Sequence, residues 1–342
     1  MKEAYVAKGT VVTIIDSTIP QPKADEVLIK VVYAGSNPKD WKVPEWLDTN
    51  INQGDDVAGY VHEVGSNVTE FKKGDRVMGF HVMLSPHGAW AEYSIVPAHT
   101  TAKIPDNISF EQAAAIPLAA LTAVVGLYSP TRLALPEPSN PAKEDIPLVI
   151  YGAASAVGYY TLQLAIKSNI HPLICVAGKS QDHVRGLLDP SKGDAIVDYR
   201  DGDAAVVDGI RRALGGRKLL HAYDAVSEKG SYQNLSQVLE PGSTITLVLP
   251  GKQYDDIPKH IKQTVTSVGS VHDAEKDLGY RYFRYISEGL KEGWFKPQPT
   301  RVVPGGLGGV QQALEDLKAG RVNAQKLVFE IAATEGLESS KI

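Results

Sequence analysis

Cysteine is nearly absent: the 342 residues hold one, Cys175. One cysteine builds no disulfide framework within a chain and no zinc site of four thiolates. Cys175 lies in the apolar run 172–177, the setting of a buried strand thiol rather than a reactive one. An excess of positive charge is also missing. Lys and Arg number 35 against 40 Asp and Glu, a net charge of −5. No basic run interleaved with aromatics appears, so neither nucleic acid nor an anionic membrane is the expected partner. No stretch approaches the ~18 apolar residues of a membrane span. Residues 1–10 mix polar and apolar side chains without a secretory core. A cytoplasmic protein acting on a small molecule is the expectation.

What is present is ordinary globular material, 43% hydrophobic and 22% charged, enough for a core without staples. At roughly 100–200 residues per domain the length suggests two domains. The first third reads as β-rich. Short apolar or β-branched runs at 11–15, 26–33, 58–64, 76–80 and 89–96 alternate with turns such as Gly65-Ser66-Asn67 and Lys73-Gly74-Asp75. That spacing suits a small barrel or sandwich. Near Ser109 the texture changes. Ser109 with Glu111 and Gln112 is a helix start, and 113–128 is helix-compatible. The segment 129–147 carries five prolines and reads as a surface loop.

From Leu148 the pattern alternates. Strand-like runs at 148–151, 173–177, 195–199, 219–226, 243–249 and 265–271 are separated mostly by helical segments, the first at 156–167. Alternating units imply a parallel sheet covered on both faces, here with the six strands of a full dinucleotide fold. The last part holds a helix at 307–319 and a strand at 326–331; beyond Ala333 the polar tail is expected to fray.

The turn after the first of these strands runs Gly152-Ala153-Ala154-Ser155-Ala156-Val157-Gly158. Small residues let the backbone approach a pyrophosphate, and the following helix offers free N–H groups and its positive dipole end. Some 20 residues further on, an NAD site carries an acid for the ribose 2′-hydroxyl. Gly178-Lys179-Ser180 stands there instead. An acid would repel a 2′-phosphate, whereas Lys179 and Ser180 attract one, which favours NADPH. Tyr199, ending the third strand, is placed to stack on or bond the same phosphate, or to serve as a strand-end core residue.

These features, in this order, resemble the medium-chain dehydrogenase/reductase superfamily, in its zinc-free quinone oxidoreductase and enoyl reductase branch. The resemblance covers about residues 4–331. It rests on Ser36-Asn37-Pro38-Lys39-Asp40-Trp41, Gly54-Asp55-Asp56-Val57-Ala58-Gly59, Phe71-Lys72-Lys73-Gly74-Asp75-Arg76-Val77 and His87-Gly88-Ala89-Trp90-Ala91-Glu92-Tyr93. Ala119-Ala120-Leu121-Thr122-Ala123, Gly305-Gly306-Leu307 and the stretch from Gly320 through Asn323 and Lys326 to Val328 complete it.

The resemblance implies an α/β protein with two parts. A GroES-like β-barrel catalytic domain spans 1–118 and 294–342. A Rossmann NADPH-binding domain with a doubly wound, parallel six-stranded sheet spans 119–293. Where zinc-dependent relatives have a cysteine and then Gly-His-Glu, this chain has Asp40 and Gly54-Asp55-Asp56. No metal is therefore expected, and His62, His81 and His87 lack ligand spacing.

By the same resemblance Asn37, Pro38, Asp40 and Trp41 line the nicotinamide side, and Thr122 contacts the nicotinamide amide. Val226 and Leu249 flank ribose and ring, and Asn323 and Lys326 close over the cofactor. Turn chemistry at Asn37-Pro38 and helix packing at Thr122 are the plainer readings. Ser155-Ala156 and the long proline-rich loop look more like fungal enoyl reductases than short bacterial quinone reductases.

The expected reaction is NADPH-dependent hydride transfer to a quinone or other conjugated carbonyl. The alternatives are a trans-acting enoyl reductase of polyketide type, an alkenal double-bond reductase, and a non-catalytic NADPH-binding protein. No general acid stands out; Asn37, Lys39 and Asp40 are weak catalytic candidates, with a tyrosine or solvent as the other proton sources. Tyr280-Arg281-Tyr282-Phe283-Arg284-Tyr285 either frames the acceptor site or packs in a core. A homodimer through the edge strand at 265–271 is a further expectation.

Overall fold

A computed structural model describes residues 1–337; residues 338–342, the end of the tail expected to fray, lie outside the described residues. The strands are β1 (Lys2–Ala7), β2 (Val11–Asp16), β3 (Glu26–Gly35), β4 (Asp56–Val64), β5 (Arg76–Phe80), β6 (Tyr93–Pro97), β7 (Thr101–Lys103), β8 (Leu148–Tyr151), β9 (Leu173–Ala177), β10 (Ala195–Asp198), β11 (His221–Asp224), β12 (Thr244–Leu247), β13 (Lys262–Val265), β14 (Thr300–Val302) and β15 (Lys326–Glu330). The helices are α1 (Lys39–Leu47), α2 (Phe110–Ala113), α3 (Pro117–Tyr128), α4 (Ala156–Lys167), α5 (Gln181–Arg185), α6 (Asp203–Leu214), α7 (Ser231–Ser236), α8 (Lys276–Glu292) and α9 (Val310–Lys318). The chain divides into two compact units, one of Met1–Leu118 with the residues from Val271 onward, the other Ala119–Ser270.

The first unit is organised by β3, whose β-branched and aliphatic residues pair antiparallel with β4, β6 and β15. The sheet runs β14-β15-β3-β4-β5-β7, with β6 also on β3. Two register shifts along β3–β4, at Leu28/Ile29 and Val31/Tyr33, bend the strand as bulges do. Val27, Ile29, Val57, Trp90 and Phe329 meet in the core. The Trp90 indole N–H, which needs an acceptor when buried, donates to the Gly35 carbonyl at 3.1 Å.

The second unit is a six-stranded sheet in the order β10-β9-β8-β11-β12-β13, every pairing parallel. Counted from β8 that is 3-2-1-4-5-6, the doubly wound order, with its switch point between β8 and β11. β8 and β9 are buried along their whole length, as strands covered on both faces are. The expected α/β architecture is the one observed.

Four expectations change. The strand expected at 265–271 is absent: β13 ends at Val265, and Val268–His272 forms a 3-10 turn. Ser267, Gly269 and Ser270 supply turn chemistry that outweighs the valines. The edge strand is thus Lys262-Gln263-Thr264-Val265, with Lys262 and Gln263 exposed, so the apolar edge on which a homodimer was argued does not exist. The second boundary falls at 270/271 rather than 293/294. The reason is α8, which binds the first unit: Arg284 donates to the Ala98 and His99 carbonyls and pairs with Glu70, and Ser287 donates to Lys103 O.

The third change concerns the apolar segment from Phe110 to Tyr128. It is 19 residues long with a mean hydropathy of 1.6, long and apolar enough to cross a membrane, but 83% of that span is buried in the protein. Glu111 and Gln112 at its start masked its length in the sequence. The expected helix start at Ser109 is there, and Ser109 and Gln112 form a capping box; Pro117, which disfavours helix at the residue before it, separates α2 from α3. Lastly, the tail is tied down through residue 337. Thr334 is buried, its Oγ1 accepts the Leu307 N–H at 2.9 Å, and Leu337 packs on the core. Thr334→Val keeps the side-chain shape but strands that N–H, so we expect a loss of about 1–3 kcal/mol in denaturant unfolding.

Candidate active site

In the parallel-sheet unit the glycine- and alanine-rich turn leaves β8 at Tyr151 and enters α4 at Ala156. Gly152 has φ +77°, and a Cβ there would lie 2.6 Å from Val226 Cγ2. At Gly158 a Cβ would lie 2.3 Å from the Gly152 carbonyl oxygen, so helix and strand pack at a distance only glycine permits. Ser155 caps α4, its hydroxyl accepting the Gly158 N–H at 3.1 Å. The remaining first-turn N–H groups of α4 have no carbonyl partner within the helix. Ala153, Ala154, Ala156 and Val157 keep this cradle lined with small or apolar side chains. Small side chains and first-turn N–H groups suit a pyrophosphate here, and a Cβ at either glycine would collide with Val226 or with the turn itself.

Gly178, Lys179 and Ser180 follow β9, and Tyr199 follows β10. The pairing of Ala177 with Asp198 brings these two strand ends side by side. A Cβ on Gly178 would meet the Tyr199 ring at 2.5 Å, so that ring lies on the glycine; Tyr199 is 48% exposed. Lys179 is exposed and Ser180 half-buried. The acid nearby, Asp198, is occupied: Arg200 Nε donates to it at 2.9 Å and Gln181 Nε2 also bonds it. The Arg200 hydrogen bonds hold its carboxyl at about 2. Arg200, its guanidinium paired with Asp198, stands beside Tyr199 in the chain.

The loop after β11 is built on Asp224, which is fully buried and accepts N–H groups from Val226 and Ser227 and the Ser231 hydroxyl. Burial raises this carboxyl to about 6. Val226 is thereby set at the strand end, while Leu249 lies just past β12, its carbonyl accepting from Tyr254. Thr122 is buried on α3, and its carbonyl takes the Tyr223 hydroxyl at 2.8 Å. All these residues except Thr122 gather at the carboxyl ends of the parallel strands, where such sheets bind ligands.

In the first unit, Asn37 to Trp41 occupy the step from β3 into α1. Pro38 is exposed and Trp41 half-buried, whereas Asn37 and Asp40 are buried. Two charged clusters flank this step. In one, the Lys39 ammonium meets Asp55, Asp40 Oδ1 at 3.1 Å and the Gln53 carbonyl at 2.6 Å. His81 Nδ1 lies 2.9 Å from Asp55 Oδ1, and its Nε2 lies 3.0 Å from the Pro86 carbonyl. The ammonium is thus held in ion pairs with two carboxylates and hydrogen-bonded to one carbonyl. In the other, Lys326 is buried on Asp56 and Asn37, while Asn323 stands exposed. Among the described residues no group of three or more His, Cys, Asp or Glu has the arrangement of a metal site. Tyr282 and Phe283 are buried and Tyr280 is exposed under Arg284, so that segment mainly packs.

One ammonium between two buried carboxylates cannot neutralise both. Burial opposes ionisation of Asp55, but Lys39 and His81 outweigh it and hold Asp55 below the ordinary range. Asp40 takes the opposite course: burial, only partly offset by Lys39 and reinforced by Asp55, pushes it up to about 7.

Comparison with known proteins fits this geometry. The alcohol dehydrogenase GroES-like domain family matches residues 23–106. The trans-enoyl reductase fsr4 of Gibberella fujikuroi is 51% identical over 310 residues, 89% of this chain and 91% of that protein. A trans-enoyl reductase of Aspergillus japonicus is 31% identical, covering 91% of each chain. Among solved structures, Escherichia coli quinone oxidoreductase complexed with NADPH aligns at TM-score 0.75 and 22% identity, over 96% of this chain and 100% of that one. The chain belongs to the medium-chain dehydrogenase/reductase superfamily, alongside the trans-enoyl reductases. It is an oxidoreductase of a superfamily that uses nicotinamide cofactors and acts on small molecules.

The raised Asp40 carboxyl has a direction in stability. An unfolded Asp ionises near 4, the folded one near 7, so between those values the unfolded state sheds its proton first. Asp40's contribution to stability should fall with rising pH across that window, by at most about 1.4 kcal/mol per pH unit. Asp40→Asn should lack this slope, and its melting temperature relative to wild type should climb from pH 4 to pH 7. A difference that is flat with pH contradicts the assignment.

Proposed function

We propose that the protein is an NADPH-dependent enoyl reductase that acts in trans on an α,β-unsaturated thioester. The observation that carries this is the 51% identity to a trans-enoyl reductase over 89% of the chain. It moves the weight from a quinone, the first expectation, to a carbon–carbon double bond. NADPH, when bound, supplies the hydride. Its pyrophosphate is assigned to the Gly152–Gly158 cradle and the α4 N-terminus. The 2′-phosphate is assigned to Lys179, Ser180 and Tyr199, with Arg200 beside them and Asp198 already neutralised. Asn37, Pro38, Asp40, Trp41, Thr122, Val226, Leu249 and Asn323 take the ribose and nicotinamide end by resemblance.

Hydride adds to the β-carbon, the π electrons move onto the thioester oxygen, and a proton returns to the α-carbon. Such an acceptor is already electrophilic, so the protein's share is orientation. With the Lys39 ammonium held in ion pairs to Asp55 and Asp40 and bonded to the Gln53 carbonyl, solvent is the proton source this reading assigns. The same commitment keeps quinones as a second reading, since a hydroquinone anion also takes its protons from solvent.

The test is NADPH oxidation with a crotonyl thioester and, separately, with phenanthrenequinone. Faster turnover of the thioester is expected; turnover of the quinone alone reverses the order, and turnover of neither defeats both readings. Lys179→Ala should raise the KM for NADPH by roughly 10–100-fold, the value of one hydrogen bond to a charged group, and leave that for NADH nearly unchanged. Equal losses would overturn the 2′-phosphate assignment.

A further inference from the structure

Every polar group of Asn37 is held. Its N–H donates to Asp40 Oδ2 at 2.6 Å, and its carbonyl accepts the Asp40 N–H at 3.0 Å. Its side-chain Nδ2 donates to Asp56 Oδ2 at 2.8 Å, and its Oδ1 accepts from Lys326 Nζ at 2.6 Å. The ammonium and the carboxylate are themselves paired at 2.7 Å and are 4% and 0% exposed. Asp56 also accepts the Leu118 N–H, in the first turn of α3, at 2.6 Å.

Such burial of an ion pair is costly, and an apolar pair of the same size would often serve stability as well or better. The pair is also closely packed against Gly35. A Cβ on Gly35 would lie 2.3 Å from the Ala114 carbonyl, 3.0 Å from Asp56 Cβ and 3.1 Å from Lys326 Cε. A site maintained at this cost and with this clearance calls for a reason other than stability.

The chemistry suggests one. A cation at the amide oxygen and an anion at the amide N–H both favour the charge-separated form of the carboxamide. They stiffen it, fix which end is oxygen, and strengthen its remaining hydrogen bonds. A carboxamide has two donor hydrogens and two acceptor lone pairs. One of each is used here, which leaves one polarised N–H and one lone pair in set directions. We propose that Asp56 and Lys326 are positioning residues of the reduction, acting through Asn37 by locking and polarising its carboxamide. This differs from the expectation that Lys326 itself covers the cofactor, and it rests on the reading that Asn37 touches the reacting groups.

The experiment is a double-mutant cycle. Asp56→Asn/Lys326→Met removes both charges without leaving either unpaired. Its kcat with the crotonyl thioester should drop on the order of 100-fold, as small misplacements of reacting groups do. Its affinity for adenosine 2′,5′-bisphosphate, a probe of the other unit, should stay within twofold of wild type. Adding Asn37→Leu to this background should cost little more, because the effects share one residue. Additive losses, or a kcat within threefold of wild type, would overturn the proposal.

If the double variant fails to fold, Asn37→Leu alone decides, since it leaves the Asp56–Lys326 pair in place: kcat within twofold of wild type sinks the idea. A wild-type enzyme that turns over no thioester or quinone would instead remove the functional reading beneath it, and the proposal with it.

Discussion

A buried carboxylate must find partners, and Asp56 finds them in three separate stretches of chain. It joins the step between β3 and α1 through Asn37, the start of α3 through Leu118, and β15 through Lys326. Much of the first unit is arranged so that these can meet. A Cβ on Gly35 would strike the Ala114 carbonyl and crowd the lysine stem, and the Trp90 N–H donates to the Gly35 carbonyl. The strand order puts β15 directly on β3, so a residue near the end of the chain reaches one near its beginning. The same constraint explains why position 37 is so thoroughly buried for a polar residue in a turn.

The neighbouring Lys39 cluster obeys related physics with a different outcome. There two acids share one ammonium, and the surplus negative charge is relieved by a proton that Asp40 holds up to about pH 7. The positive charge of Lys39, together with His81 on Asp55, fills that region with side chains.

Much of this was readable in advance, for local reasons. The turn from Gly152 to Gly158, the acid-free Gly178-Lys179-Ser180 and the helix start at Ser109 are short-range patterns, and strands β5, β8 and β9 are bounded by β-branched runs and their flanking turns. What escaped was non-local. Gly54-Asp55-Asp56 could be seen as a departure from a zinc pattern, but nothing in the chain announces that Asp55 pairs with Lys39 and Asp56 with Lys326. The misplaced edge strand had another cause. Valines at 265, 268 and 271 look like a strand until the serines and glycine between them are weighed, whereas Lys262-Gln263-Thr264 looks like a loop and is held in the ladder by β12.

That polar edge has a consequence for how the protein is made. A parallel sheet assembles from segments far apart in sequence, which makes it slow and leaves its margins open while it forms. A margin of Lys262 and Gln263, exposed and hydrophilic, offers an incoming strand from another chain a charged and well-hydrated rim. The residues that disguise β13 in the sequence are therefore the ones that guard the half-folded sheet against aggregation.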